Sequence, residues 1–187
     1  MKTLFSTLAF LVVFAASAQS STSRPTQHQV HPSYIQLAAS HQGLNPQQIF
    51  SDVYQLTADD DLNLVSELQD DLGQTHKKYQ QLYRGVPVEG AQVTLHYQNG
   101  APTMLSGYFA EVSQLSLQAK LKEHSALKKA KAKVDAKTFA WEAGHSLHLD
   151  LDEPKGELVV YTDYNGFAPA KLAYKFDIYA LDPLYRA

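Results

Sequence analysis

One histidine pair and one acidic run are where residue type and spacing offer chemistry. His145 and His148 stand three positions apart, with Asp150 and Asp152 close behind. Imidazoles and carboxylates so spaced suit a divalent cation. Zinc, however, takes at least three protein ligands, themselves held by outer partners. The stretch from His145 to Glu153 is polar and irregular, and it reads as a loop. Asp59-Asp60-Asp61-Leu62-Asn63 begins like a calcium loop, but Leu64 stands where the sixth-position glycine belongs and Asp70 where the twelfth-position glutamate belongs. Glu123-His124 has no partner histidine at helical spacing, so the H-E-x-x-H metal motif is absent. G-x-S-x-G, a phosphate loop and G-x-G-x-x-G are absent too. Scattered serines, histidines and aspartates make no triad without geometry. The expectation is no catalytic residue, no cofactor-binding residue and no metal ligand in this chain.

The elements that would position these side chains follow from periodicity. Ser33 to Ser40 reads as one or two helical turns. Asn45 is placed to cap a helix that begins at Pro46. Ile49 to Leu56 reads as a short strand, and Thr57 to Asp71 as a helix whose N-terminus holds the acidic cluster. Gly73 is its stop. From Thr75 the period changes to two: Tyr79, Gln81 and Tyr83 face one way, and Lys78, Gln80, Leu82 and Arg84 the other. Gly85-Val86-Pro87 marks a turn. A second strand runs from Val88 to Tyr97, with Val93, Leu95 and Tyr97 on one face. Gln98-Asn99-Gly100 is a hairpin signal, because Asn-Gly accepts positive φ at both turn positions. Thr103 to Phe109 is a third strand, giving an antiparallel meander.

Downstream, Leu127, Ala130 and Val134 recur at helical spacing within Ser116 to Val134, with lysines mostly outward. Thr138 to Trp141 begins a strand, and Glu157 to Tyr161 is another. Asn165-Gly166 turns the chain, and Leu172 to Ala180 alternates as a strand. Both halves therefore show a helix followed by antiparallel strands. The fold class is α+β, as two small helix-plus-antiparallel-sheet modules in tandem.

The start of the chain reads as an export signal. Lys2 precedes an apolar run from Leu4 to Ala16, and Ala16-Ser17-Ala18 is a small-x-small cleavage site. The run is too short to span a bilayer, which takes about 20 apolar residues. The chain then divides into a signal peptide at 1–18, a flexible leader at 19–45, one module at 46–112 and another at 116–187. An exported chain without cysteine relies on its core in place of disulfides, and has neither a thiolate metal site nor a cysteine nucleophile. A net charge of −3, with both signs spread along the chain, points to no nucleic acid and no anionic membrane surface. Eleven tyrosines suit either an interface or ordinary sheet structure. Likewise Gln80-Gln81 and His76 read either as structural residues of an amphipathic strand or as a face that meets a partner.

The frame from Gly73 to Ala91, G-x-T-H-x-x-Y-Q-Q-x-Y-x-G-x-P-V-x-G-A, resembles the pro-region of secreted thermolysin-type zinc peptidases. From about Ile49 to Gly107 the chain is similar to the fungalysin/thermolysin propeptide module, most specifically at Gly73, Thr75, His76, Tyr79, Gln80, Gln81, Tyr83, Gly85, Pro87, Val88, Gly90 and His96. From Ser116 onward it resembles a PepSY module, through Ala126-Leu127, Trp141-Glu142, Pro154-x-Gly156-Glu157-Leu158-Val159 and Leu172 to Ala180. Lys77-Lys78 departs from the pattern, which often has an aromatic or aliphatic residue followed by arginine. The pattern also continues past Ala187, into one more strand and a zinc catalytic domain.

The resemblance implies an export-linked module that is itself no catalyst. It would help a catalytic domain fold and keep that domain silent, with that domain of its own metallopeptidase as partner. Zinc and calcium would belong to the catalytic domain, and no cofactor to this chain. His76, Tyr79, Gln80, Gln81, Tyr83, Pro87 and His96 would dock on the catalytic domain. After signal cleavage the chain would be secreted and free of the membrane. Two other readings stand beside this one: a free-standing secreted inhibitor acting in trans, and a small-ligand binding module.

Overall fold

Asn45 and Gln48 close a capping box: the Asn45 side chain accepts from the Gln48 amide at 2.9 Å, and the Gln48 side chain from the Asn45 amide at 3.0 Å. With Pro46 pre-set for the first turn, this starts helix α1, Pro46–Tyr54. A computed structural model gives these contacts, and it describes residues 34–143, 152–164, 168–182 and 184–186. The expected signal peptide, residues 19–33 of the expected leader, the His145–His148 pair and the Asn165-Gly166 turn lie outside them. Ile49, Phe50, Val53 and Tyr54 recur at helical spacing, so the strand expected from Ile49 is instead the body of this helix. Ile49, Phe50 and Tyr54 are buried on its inner face.

That face covers an antiparallel sheet. Its strands are β1 (Tyr34–Gln36), β2 (Asp60–Gln69), β3 (Thr75–Tyr83), β4 (Val86–Gln98) and β5 (Ala101–Gly107). Their order is β1-β5-β4-β3-β2. Tyr79, Val93, Leu95 and Leu105 meet the helix to form the main core, joined by Leu37, Leu62 and Phe109. Phe50 stands edge-on to Tyr79 at 4.8 Å, and Tyr54 stacks on Phe109 at 4.5 Å. Burial pushes the Tyr54 and Tyr79 phenols up to about 12.

Two corrections concern the edges of this sheet. Residues 57–71 form no helix: Asp60 to Gln69 pairs with β3 from Asp60↔Tyr83 to Gln69↔Thr75. The spacing of Leu62, Leu64, Val65 and Leu68 fits either period, and ladder hydrogen bonds to a ready strand decide for the sheet. The acidic cluster closes a turn instead: the Asp60 carboxylate accepts from the Thr57 amide at 2.9 Å and hydroxyl at 2.6 Å. At the other edge, β1 and a single 3-10 turn at Ala39–His41 replace the helical turns expected at 33–40. The expected leader is thus ordered from Tyr34, because β1 pairs with β5.

The Asn99-Gly100 hairpin has positive φ at both residues, as expected. At Gly107, φ is +116°, and a Cβ there would lie 2.2 Å from the Gln92 carbonyl oxygen. Only glycine lets β5 leave β4 at that point, and the Tyr108 amide then donates to Gln92 O at 2.9 Å.

Beyond β5 come helix α2 (Glu123–Val134), β6 (Thr138–Phe139), β7 (Glu157–Tyr161), β8 (Lys171–Lys175), β9 (Tyr179–Asp182) and β10 (Leu184–Arg186). The helix starts at Glu123, later than the Ser116 expected. The strand expected over Leu172–Ala180 is broken at residues 176–178. Its first part, β8, pairs with β7, whereas β9 joins β6 and β10 in a three-stranded sheet. Leu127, Phe139, Ile178 and Ala180 form that sheet's core with α2. The β7–β8 hairpin adds to the large sheet, since β7 runs parallel to β4 at Val88↔Val160. Lys175 pairs with Glu89 at 2.8 Å across the same junction. The α+β class stands, with strands predominating.

Candidate docking surface

Strand pleating sorts the seven expected docking residues onto two faces. Tyr79, Gln81 and Tyr83 point inward and are buried. His76, Gln80 and His96 share the outer face and are half-buried, and Pro87 lies half-buried at the start of β4. The three inward residues present no surface to a partner while this sheet is folded.

Gln81 is fully buried. Its Nε2 donates to the Ala110 carbonyl at 2.7 Å and its Oε1 accepts from the Ala110 amide at 2.9 Å. A segment leaving the sheet has no ladder partner for its backbone, and this amide supplies both halves of one. Beside it, Gln80 spans a wide bulge. β3 and β4 pair at Gln80↔Gln92 and again at Leu82↔Pro87, leaving Val88 to Ala91 opposite a single residue. Gln80 Nε2 donates to Val88 O at 2.8 Å and Ala91 O at 3.1 Å, and Gln80 Oε1 accepts from Gln92 Nε2 at 3.2 Å. Gly90 turns the bulge with φ of +73°. The far side of β4 is open beyond Val93↔Gly107, where β5 leaves, and β7 docks there at Val88. The Gln80-Gln81 pair thus does structural work, one of the two readings its spacing left open.

The outer face carries the polar chemistry. His76 Nδ1 lies 2.7 Å from His96 Nδ1, directly across the β3–β4 ladder. His76 Nε2 lies 3.1 Å from Asp70 Oδ2, and His96 Nε2 2.7 Å from Ser106 Oγ. Asp70 sits in the β2–β3 turn and also accepts from the Leu72 and Gln74 amides at 2.9 and 2.8 Å. The Gln74 amide first, then His76, hold its carboxyl below the usual carboxylate range. Burial, with His76 alongside, holds the His96 imidazole below the usual histidine range. Asp70 and Ser106 were missed from the sequence. The β3–β4 register sets residues 76 and 96 opposite one another, and no local spacing in the sequence signals it.

Among the described residues, no group of three histidine, aspartate or glutamate side chains is arranged to hold a metal. No described helix is long and apolar enough to cross a membrane.

Residues 60–109 match the family model described as the Fungalysin/Thermolysin Propeptide Motif. The chain is also 32% identical over 124 residues to the thermolysin of Alicyclobacillus acidocaldarius subsp. acidocaldarius. The same figures hold for the thermolysins of Bacillus caldolyticus and Bacillus sp. (strain EA1). The similar stretch covers 66% of this chain and 22% of each of these relatives.

Proposed function

We propose that this chain is the pro-region of a secreted thermolysin-like zinc metalloendopeptidase, serving as folding assistant and inhibitor of its catalytic domain. The observation that carries the reading is a coincidence of boundaries. The matched motif, 60–109, begins at the start of β2 and ends just past β5, so it covers the whole four-stranded meander. The likeness of residues 116–187 to a PepSY module belongs to this proposal, as do the division into modules at 46–112 and 116–187, export by the N-terminal signal, and zinc and calcium held by the catalytic domain.

The physical logic is differential binding. An exported protease persists by a high unfolding barrier. A module that binds the folding transition state more tightly than the unfolded chain lowers the barrier to folding. Tethering helps, because a linked module acts at an effective concentration near the millimolar range. An interface of about 8 kcal/mol (micromolar affinity) then keeps the zymogen closed. In this reading His76, Gln80, Pro87 and His96 lie toward the catalytic domain, and Tyr79, Gln81 and Tyr83 hold the sheet that presents them.

The test is refolding of a thermolysin-like catalytic domain that lacks its own pro-region, with and without this chain. The expected result is a chain-dependent gain in correctly folded protease whose activity is held down while the chain remains bound. Equal yield and full activity in both tubes would remove the proposal.

A further inference from the structure

The four polar groups on the outer face form one line, and their hydrogen bonds fix one another. An ionised Asp70 only accepts, so His76 Nε2 carries a hydrogen and donates to it. In a neutral ring, His76 Nδ1 must then accept. His96 Nδ1 carries the hydrogen that lies between the rings at 2.7 Å, and its Nε2 accepts from the Ser106 hydroxyl at 2.7 Å. Every group is satisfied in one direction, from Ser106 to Asp70.

One added proton also fits. Placed on His76 Nδ1, it makes an imidazolium that faces the Asp70 carboxylate and donates to His96 Nδ1. His96 then carries its hydrogen on Nε2 and donates to Ser106 Oγ. Two of the three bonds reverse and none is lost. A second proton does not fit, because both Nδ1 atoms then carry hydrogen and two like charges face each other. We propose that Asp70, His76, His96 and Ser106 form an acid-sensitive latch across the β2–β3 turn, β3, β4 and β5, which absorbs one proton intact and parts at the second.

The surroundings support this. Lys78 follows His76 on the same face of β3 and is exposed, so it opposes the second charge. The Asp70 carboxylate lies 3.1 Å from His76 Nε2 and so faces the first charge. Lys77 and Glu67 face the other side of the sheet and neutralise one another at 3.2 Å, with Lys77 over the Tyr97 ring at 5.5 Å. On this face β2 sets Leu68 opposite His76, β4 adds Thr94, β5 contributes Met104 and Ser106, and β1 opposes these with Gln36 and Tyr34, so among the described residues these strands bring no further strong charge beside the pair. Asp70 remains an anion through the window, because its turn amides hold it ionised.

The sign follows from linkage. The depressed His96 value means that the unfolded chain takes up a proton the folded sheet refuses. Stability is therefore present above the ordinary histidine range, about 6.5, and is lost as pH falls through the folded value. The inference concerns the chain's own fold and stands apart from the protease reading.

The test is a ring-nitrogen NMR titration of the unaltered full chain. The expected spectra show His76 with hydrogen on Nε2 and His96 with hydrogen on Nδ1 at pH 8, then two separated proton steps, the lower one accompanied by faster amide exchange around residues 75–77 and 95–97. Two independent titrations near 6.5 with no change in exchange would overturn it. Denaturant unfolding of the chain and of H96Q between pH 7.5 and 4.5 gives a second readout. The variant is expected to remove up to a tenfold change in the unfolding constant per pH unit, one proton's worth. An unchanged slope in H96Q would also overturn it. S106A, read by the same NMR titration, is expected to keep the Nδ1–H form of His96 at pH 8, because Asp70 and His76 fix it, and its loss would count against the latch.

Discussion

Gln81 holds Ala110 by both ends of its amide, at 2.7 and 2.9 Å, from a position with no solvent contact. The strand motif and the segment that leaves β5 are thereby one structural unit, although 29 residues separate the two in the chain. Replacing Gln81 by leucine keeps the apolar contacts and strands both Ala110 backbone groups. The expected loss is about 3 kcal/mol, from two unsatisfied buried groups at about 1–3 kcal/mol each. Urea unfolding of the full chain measures it, and a loss below about 1 kcal/mol would show that water satisfies Ala110.

Gln80 makes a neighbouring prediction on the outer face. Gln80→Ala removes the donor to Val88 O and Ala91 O while leaving the bulge half open to water. The expected cost is smaller, about 1–2 kcal/mol. Because β7 docks at Val88, amide exchange in β7 is expected to rise more than in β2. Equal rises in both strands would place the effect in global stability alone.

Gly107 tests a steric requirement. A Cβ at that position collides with Gln92 O at 2.2 Å, and its φ of +116° suits glycine alone. Gly107→Ala is expected to destabilise by more than about 1 kcal/mol, which lowers the thermal midpoint by at least about 2 °C in a chain of this size. A midpoint equal to that of the parent chain would mean that β5 leaves the sheet by another path.

The buried phenols set an alkaline limit. Tyr54 and Tyr79 ionise in the fold only near pH 12, raised by burial. An acid whose folded value is raised contributes stability that is complete below the unfolded value, about 10, and is lost as pH climbs through the folded one. Ultraviolet titration is expected to show part of the tyrosine absorbance rising late, together with loss of β-sheet signal between pH 10 and 12. Complete titration near pH 10 with the sheet intact would contradict the burial.

Lys78 separates docking from folding. It is exposed on the same face as His76 and Gln80. Lys78→Glu is expected to leave unfolding within about 0.5 kcal/mol of the parent, as for most surface changes. It is also expected to lower several-fold the yield of active protease in the refolding assay. Full yield would move the docking surface away from this face.

The sequence by itself determined the meander. Period-two alternation in Thr75–Tyr83 and the Asn99-Gly100 turn fix strand type and inward face locally, because pleating and turn φ are properties of adjacent residues. It likewise determined the start of α1, where Asn45 and Pro46 act within one turn. Only the tertiary structure decided residues 60–69, whose leucines fit both periods until β3 offers a ladder. It also decided Ile49–Tyr54, read as a strand from a short apolar run that cannot be told from a helix by composition alone. The outer polar line lay further out of reach. His76 and His96 are 20 residues apart and meet only through strand register. Asp70 and Ser106 then join them by turn geometry and by a diagonal across β4 and β5. The same register buried Gln81 and set it as a clasp on Ala110. Local spacing shows which face a side chain takes, but only long-range pairing sets what lies opposite it.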